Sequence, residues 1–147
     1  GPVGAKVMEA FQEHYRPSDA YPQPVGSLGV HVICAETAAE AEKLAKGRDV
    51  WRLRIERGIF EPFPTPEEAD AVLSQIGDWE RGRIMQARSQ QIIGDPAQCR
   101  EQIEALALQY GVGEAVILSI THDFGARCRA YELLASAFAL TPASQAA

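Results

Sequence analysis

Two short runs, LGVHVICA at residues 28–35 and EAVILSI at 114–120, constrain this chain more than any other feature. Each is rich in β-branched residues and apolar on both faces, which is the pattern of a strand buried between layers rather than one facing water. Nearly 80 residues separate them. A connection of that length, filled with helical signals, predicts a crossover between parallel strands, and therefore α/β architecture.

The intervening and flanking segments supply those helices. VGAKVMEAFQEHY places Val3, Val7, Met8, Phe11 and Tyr15 at helical spacing, so a helix is expected over about residues 3 to 15, with Pro17 ending it. RPSDAYPQP carries three prolines in nine residues and predicts an extended connector. After the first strand, Thr37 and Glu40 have capping-box spacing. WRLRIE alternates like a strand, but Leu44, Trp51 and Ile55 also share a helical face; the helix is expected to run to about Arg57. FEPFPTPEEADAVLSQIG contains a Pro-rich loop and a capped start at Thr65-Pro66-Glu67-Glu68. Residues 78 to 91 are polar and basic by turns.

The stretch IIGDPAQCREQIEAL, 92–106, has two readings. Gly-Asp-Pro can be an anion-holding helix start, or simply a cap with Asp95 accepting hydrogen bonds, Pro96 in the first turn and Gln98 three residues on. The Asp95 carboxylate would repel phosphate, which favours the plain cap. Cys99, Ile103, Leu106 and Tyr110 then form one apolar stripe, and Gly111 suits the left-handed stop. The Gly-Val-Gly at 111–113 closes a helix before a strand, the reverse of a dinucleotide-binding fingerprint. Asp123 can cap a last helix lined by Phe124, Cys128, Tyr131, Ala135 and Phe138.

Composition bounds the function. The 147 residues are 46% apolar and 23% charged, which marks a globular domain, and a net charge of −6 disfavours nucleic acid and anionic membrane as partners. Cys34, Cys99 and Cys128 are an odd set without the spacing of zinc or redox motifs, which predicts reduced thiols, no metal site and a cytoplasmic setting. No apolar run approaches the roughly 20 residues that span a bilayer, so a soluble chain is expected. The opening Gly1-Pro2 resembles the scar of a protease-cleaved tag, which implies that the chain is a piece of a longer one.

Three phrases read in order carry a resemblance: EHYRPSDAYPQP with VHVICAETAAEAEKLA, then IIGDPAQCREQIEALALQYGVGEAVILSITHD, then ARCRAYELLASAF. From about residue 5 to 138 the chain is similar to the C-terminal part of luciferase-like, flavin-dependent monooxygenases. The match lies in the order of elements more than in a catalytic signature. It implies a fragment of a (β/α)8 TIM-type barrel, a single partial domain of two parallel strands with flanking helices. The strands around Val30–Ala35 and Ala115–Thr121 would be the barrel's last two, and part of residues 57–92 would resemble the mobile lid of the family.

A whole barrel needs roughly 250 residues. The parent would use reduced FMN and O2 on a small organic substrate. The piece alone would be inactive, without tightly bound cofactor, and a homo-oligomer through its open strand edges. Barrel sites gather at the C-terminal strand ends, which nominates His122 and Asp123 as catalytic residues and Cys34 and Thr121 as cofactor contacts. The plainer readings are a capping Asp123 beside a solvated His122, and a core-filling Cys34. His31 is expected as a neutral ring satisfied in a buried strand, and His14 as a helix-end residue without chemistry. Arg48, Arg52, Arg54, Arg57, Arg81, Arg83 and Arg88 can gather around an anion or pair with Asp49, Glu56, Asp78 and Glu80. The alternative for the whole chain is a small noncatalytic α/β module that self-associates through its strand edges.

Overall fold

Capped starts and glycine stops divide the chain into six helices and three strands across residues 2–141, the part that the computed structural model describes, with the side chains of Pro2 and Val3 excepted. Gly1 of the expected tag remnant and Val3 of the first apolar stripe accordingly fall, wholly or in their side chains, outside the described residues. In chain order the elements are α1 (Pro2–Glu13), β1 (Ser27–Cys34), α2 (Ala38–Glu56), α3 (Pro66–Leu73), α4 (Asp78–Arg88), β2 (Gln91–Gly94), α5 (Pro96–Tyr110), β3 (Glu114–Leu118) and α6 (Phe124–Ala137).

The caps are the ones the residues dictate. Thr37 and Glu40 form a capping box on α2, and Thr65 and Glu68 form one on α3. The Asp95 carboxylate accepts from the Gln98 amide at 2.9 Å, and the Gln98 side chain returns to the Asp95 amide at 3.2 Å. Gly-Asp-Pro is therefore the opening of a helix, with its cap filled by its own side chain. Gly111 ends α5 at φ 62°, a left-handed conformation that favours glycine, and its carbonyl accepts from Gln12 Nε2 at 3.0 Å. That bond ties α1 to the end of α5.

The sheet is parallel with order β2-β1-β3. Its two expected strands pair directly, Ser27 opposite Glu114 through His31 opposite Leu118. The third strand corrects the expectation of two: β2 pairs with the far half of β1, from His31 opposite Gln91 to Cys34 opposite Gly94. Four residues are too short to show a period, and their apolar pair merges in the sequence with the start of α5. Nor does the order follow the simple sequential winding of a regular barrel, because β2 lies in sequence between β1 and β3 yet occupies the opposite side of β1.

Alternation along the strands sends one set of side chains to α5 and α6. Val32, Cys34 and Ile92 pack there with Cys99 and Ile103 of α5 and Ala130, Leu133 and Leu134 of α6. The other set includes Val116, 54% exposed, and Leu118, 48% exposed. β3 is thus apolar on both sides by sequence but covered on only one, where two buried faces were expected. His31 is half-buried rather than enclosed.

Residues 78–88, to which the sequence reading assigned no element, form α4 without a single buried residue. Charge replaces the apolar stripe that would have announced it: Glu80 pairs with Arg57, Arg83 with Glu56 at 2.9 Å, and Arg88 with Asp49 at 2.7 Å, all on α2 or its C-cap.

Ile103→Ala should lower unfolding free energy by about 2–5 kcal/mol, as for a buried aliphatic residue. Leu108→Ala on the same helix, at an 85% exposed position, should change it by under about 0.5 kcal/mol. Urea denaturation followed by circular dichroism measures both.

Candidate functional site

Because β1 and β3 run parallel, the segments leaving them emerge at the same end of the sheet, where Ala35–Thr37 lead into α2 and Ser119–Asp123 lead into α6. All four residues nominated from the sequence lie on or beside these exits. The structure does not gather them into one constellation.

Asp123 caps α6: its Oδ2 accepts from the Ala126 amide at 2.6 Å, and Thr121 Oγ1 donates to the Asp123 carbonyl at 2.9 Å. His122 is exposed, and its Nδ1 lies 3.1 Å from the carbonyl oxygen of Phe63. A carbonyl only accepts, so Nδ1 carries a proton and donates in this bond. The ring is therefore held by the loop between α2 and α3, and the neighbouring Asp123 carboxylate is engaged in capping. This is the solvated-loop reading of the pair, with the addition of a cross-link that sequence proximity does not show.

That loop lies hard against α2. Pro64 is fully buried, the Phe63 ring stacks at a tilt 6.2 Å from Trp51, and a Cβ placed on Gly47 would come within 2.9 Å of Phe63 Cε1 and 3.2 Å of the Pro64 carbonyl oxygen. Gly47 is what permits the close approach.

Cys34 is 1% exposed and turned towards the helix layer. It also lines a cleft of about 300 Å³ with Ala35, Glu36, Glu40, Lys43, Leu44 and Pro66, and with Ala126 and Arg129 of α6. Arg129 is bound to Glu36 at 2.5 Å across this mouth. Thr121, His122 and Asp123 are not among the lining residues, so Cys34 is set apart from the other three nominated residues.

The sequence understated a buried charge cluster. Asp49 has a side chain only 2% exposed, and Arg88 donates to its Oδ2 through Nε at 2.9 Å and Nη2 at 2.7 Å. Burial pushes the Asp49 carboxyl above its ordinary range, against the pull of Arg88. Arg48 is buried beside it, its guanidinium disfavoured first by desolvation, and both burial and Arg48 hold the His31 imidazole below its usual value. Among the described residues, Arg48 Nε, Asp49 Oδ1, Gln91 Oε1 and Ser119 Oγ are buried without a hydrogen-bond partner. The exposed arginines instead form the solvated ion-pair face weighed from the sequence, with Arg52 on Glu56 and Arg54 on Glu61 besides the pairs on α4. The described residues contain no cluster of His, Cys, Asp or Glu able to hold a metal, and no helix long and apolar enough to cross a membrane.

Comparison with known proteins follows the whole chain rather than this site. No family model matches. The uncharacterized protein YceB of Bacillus subtilis (strain 168) is 33% identical over 92% of this chain and 40% of its own length. YwcH of the same organism is 31% identical over 95% of this chain and 41% of its own. A luciferase-like monooxygenase of Escherichia coli (strain K12) shows weaker, distant similarity, 22% over 87% of this chain and 38% of its own. Among solved structures, apo-MsnO8 superposes with a TM-score of 0.83 at 29% identity, over 96% of this chain and 43% of that one. The chain spans about two-fifths of the length of the relatives it matches.

Arg88→Ala should cost about 3 kcal/mol near neutral pH, because it strands a buried carboxylate. A carboxyl raised on folding stabilises fully below its ordinary range and loses that contribution as pH rises through the raised value. Without Arg88 the Asp49 charge is costlier still, so the deficit should shrink as pH falls to about 4. Urea midpoints of both proteins across that range check the sign.

Proposed function

We propose that this chain is the C-terminal portion of a flavin-dependent, luciferase-like monooxygenase, closing a (β/α)8 barrel whose earlier strands belong to the rest of the parent. The observation that carries the reading is the superposition of 96% of the chain on less than half of apo-MsnO8. Similarity to the Escherichia coli luciferase-like monooxygenase runs along much of the same length of chain and supports the reaction class. In this reading β1 and β3 are adjacent staves of the ring, β2 belongs to the long insert after β1, and α3 and α4 form part of its lid. The half-exposed Val116 and Leu118 would then face the barrel interior, and the unpaired buried polar atoms would meet partners supplied by the parent.

FMN supplies oxygen activation when reduced and bound. The residues described here do not by themselves build a cradle for it. The N-termini of α2, α5 and α6 are filled by Thr37, Asp95 and Asp123, so none presents open amides to a phosphate. Thr121 and His122 are hydrogen-bonded within the fold, and Cys34 faces the helix layer. The flavin site of the parent is therefore assigned to residues upstream, and this chain to the wall and cover of the cavity, with the isolated chain inactive. The substrate would be a small organic molecule oxidised with O2.

The full parent should quench FMN fluorescence on titration and consume O2 when given reduced FMN, while the 147-residue chain should do neither. A parent that binds no FMN, or a natural reading frame holding only this domain, would favour the noncatalytic module instead. The isolated chain, with β3 half-covered, should sediment as a homodimer or larger. A compact monomer at micromolar concentration counts against that.

A further inference from the structure

One edge of β1 is only half paired. The ladder to β2 begins at His31, while β3 takes the opposite edge from Ser27 to His31, so residues 27–30 have no strand neighbour on the β2 side. Backbone groups alternate between the two edges of a strand, and the Ala35 amide donates to the Gly94 carbonyl of β2 at 3.3 Å. Counting back by twos, Gly29 turns its own amide and carbonyl the same way, towards the unpaired side. There lies a cleft of about 460 Å³, lined by residues 28–31 of β1, residues 89–92 at the entry to β2, and Gln102, Ala105, Leu106 and Gln109 of α5. A strand edge left in this state is a template for another strand.

We propose that this cleft seats a strand from the part of the parent that precedes α1, added parallel to residues 27–30 and end to end with β2, so that two strands share one edge of β1. The proposal rests on the reading of this chain as the C-terminal portion of a longer protein, and the matched relatives leave about three-fifths of their length for the remainder. The connection favours this occupant. Parallel strands need a crossover of a dozen or more residues, usually a helix. α1 supplies 12 residues of helix, and residues 14–26 lead from it into β1. It packs against α5, tied by the Gln12–Gly111 bond, and Gly4 comes so near Tyr110, itself a cleft residue, that an added Cβ would stand 3.0 Å from the hydroxyl oxygen. A strand placed before α1 therefore completes a strand-helix-strand unit whose helix already stands beside the cleft. β2 limits the newcomer, which can pair only short of His31. Its side chains towards α5 meet Ala105 and Leu106, which calls for apolar residues there.

The test compares the Gly29 amide in the full parent and in the 147-residue chain, each labelled with nitrogen-15 glycine for magnetic resonance. Gly29→Ala identifies the signal, because a Cβ at that position meets nothing within 4 Å. In the parent this amide should exchange with solvent about 100-fold more slowly than in the isolated chain. Its proton should also show an Overhauser contact to a backbone proton of a residue upstream of α1. Gly94, inside the β1–β2 ladder, should exchange slowly in both. Fast exchange at Gly29 in a parent that binds FMN would overturn the proposal and leave the monooxygenase reading standing. Protection that fades on dilution of the parent would overturn it in favour of a second copy at this edge. A parent that binds no FMN but shows the upstream contact would uphold the strand and remove the flavin.

Discussion

Everything else in this structure hangs on β1 having a parallel neighbour on each side. Parallel strands cannot be joined by a tight turn, so each pairing forces a crossover, and the two crossovers account for the positions of α2 through α5. The pairings are also staggered. β3 takes the first half of β1, from Ser27 to His31, and β2 the second, from His31 to Cys34, so His31 is the one residue paired in both directions. The C-terminal half of the strand is buried to 2% exposure or less from Val32 to Cys34, and it is there that the helix-facing core is densest.

How far this was legible in the sequence depends on what holds each element. α2, α3, α5 and α6 have side-chain caps, and α5 and α6 have apolar stripes as well, so their starts can be placed from residues such as Thr37, Thr65, Asp95 and Asp123. α4 has neither, because Gly77 contributes no side-chain cap and the helix is fastened through Glu80, Arg83 and Arg88 to residues more than twenty positions away. Ion pairing between distant positions leaves no periodic trace. β2 escaped notice for the opposite reason: its identity comes entirely from β1 beside it.

The candidate site was legible in its address but not in its wiring. Strand ends are recognisable, and Asp123 announces itself as a cap. The bond from His122 to Phe63 joins residues 59 positions apart and depends on a glycine, Gly47, that looks out of place in a helix until the loop packed upon it is seen. Likewise Asp49 sits in a run of alternating charges that resembles a wet surface, yet the helix turns that one carboxylate inward.

The manner in which α4 is attached gives this small chain two different responses to its medium. The seam between sheet and helices is apolar and would tighten slightly in a strongly excluded salt such as sulfate. The fastening of α4 is Coulombic at three points and partly open to solvent, where mobile ions shorten the reach of a charge from about 10 Å at 0.1 M to about 3 Å at 1 M. Such a salt therefore acts on the fastening of α4 and on the apolar seam with opposite sign.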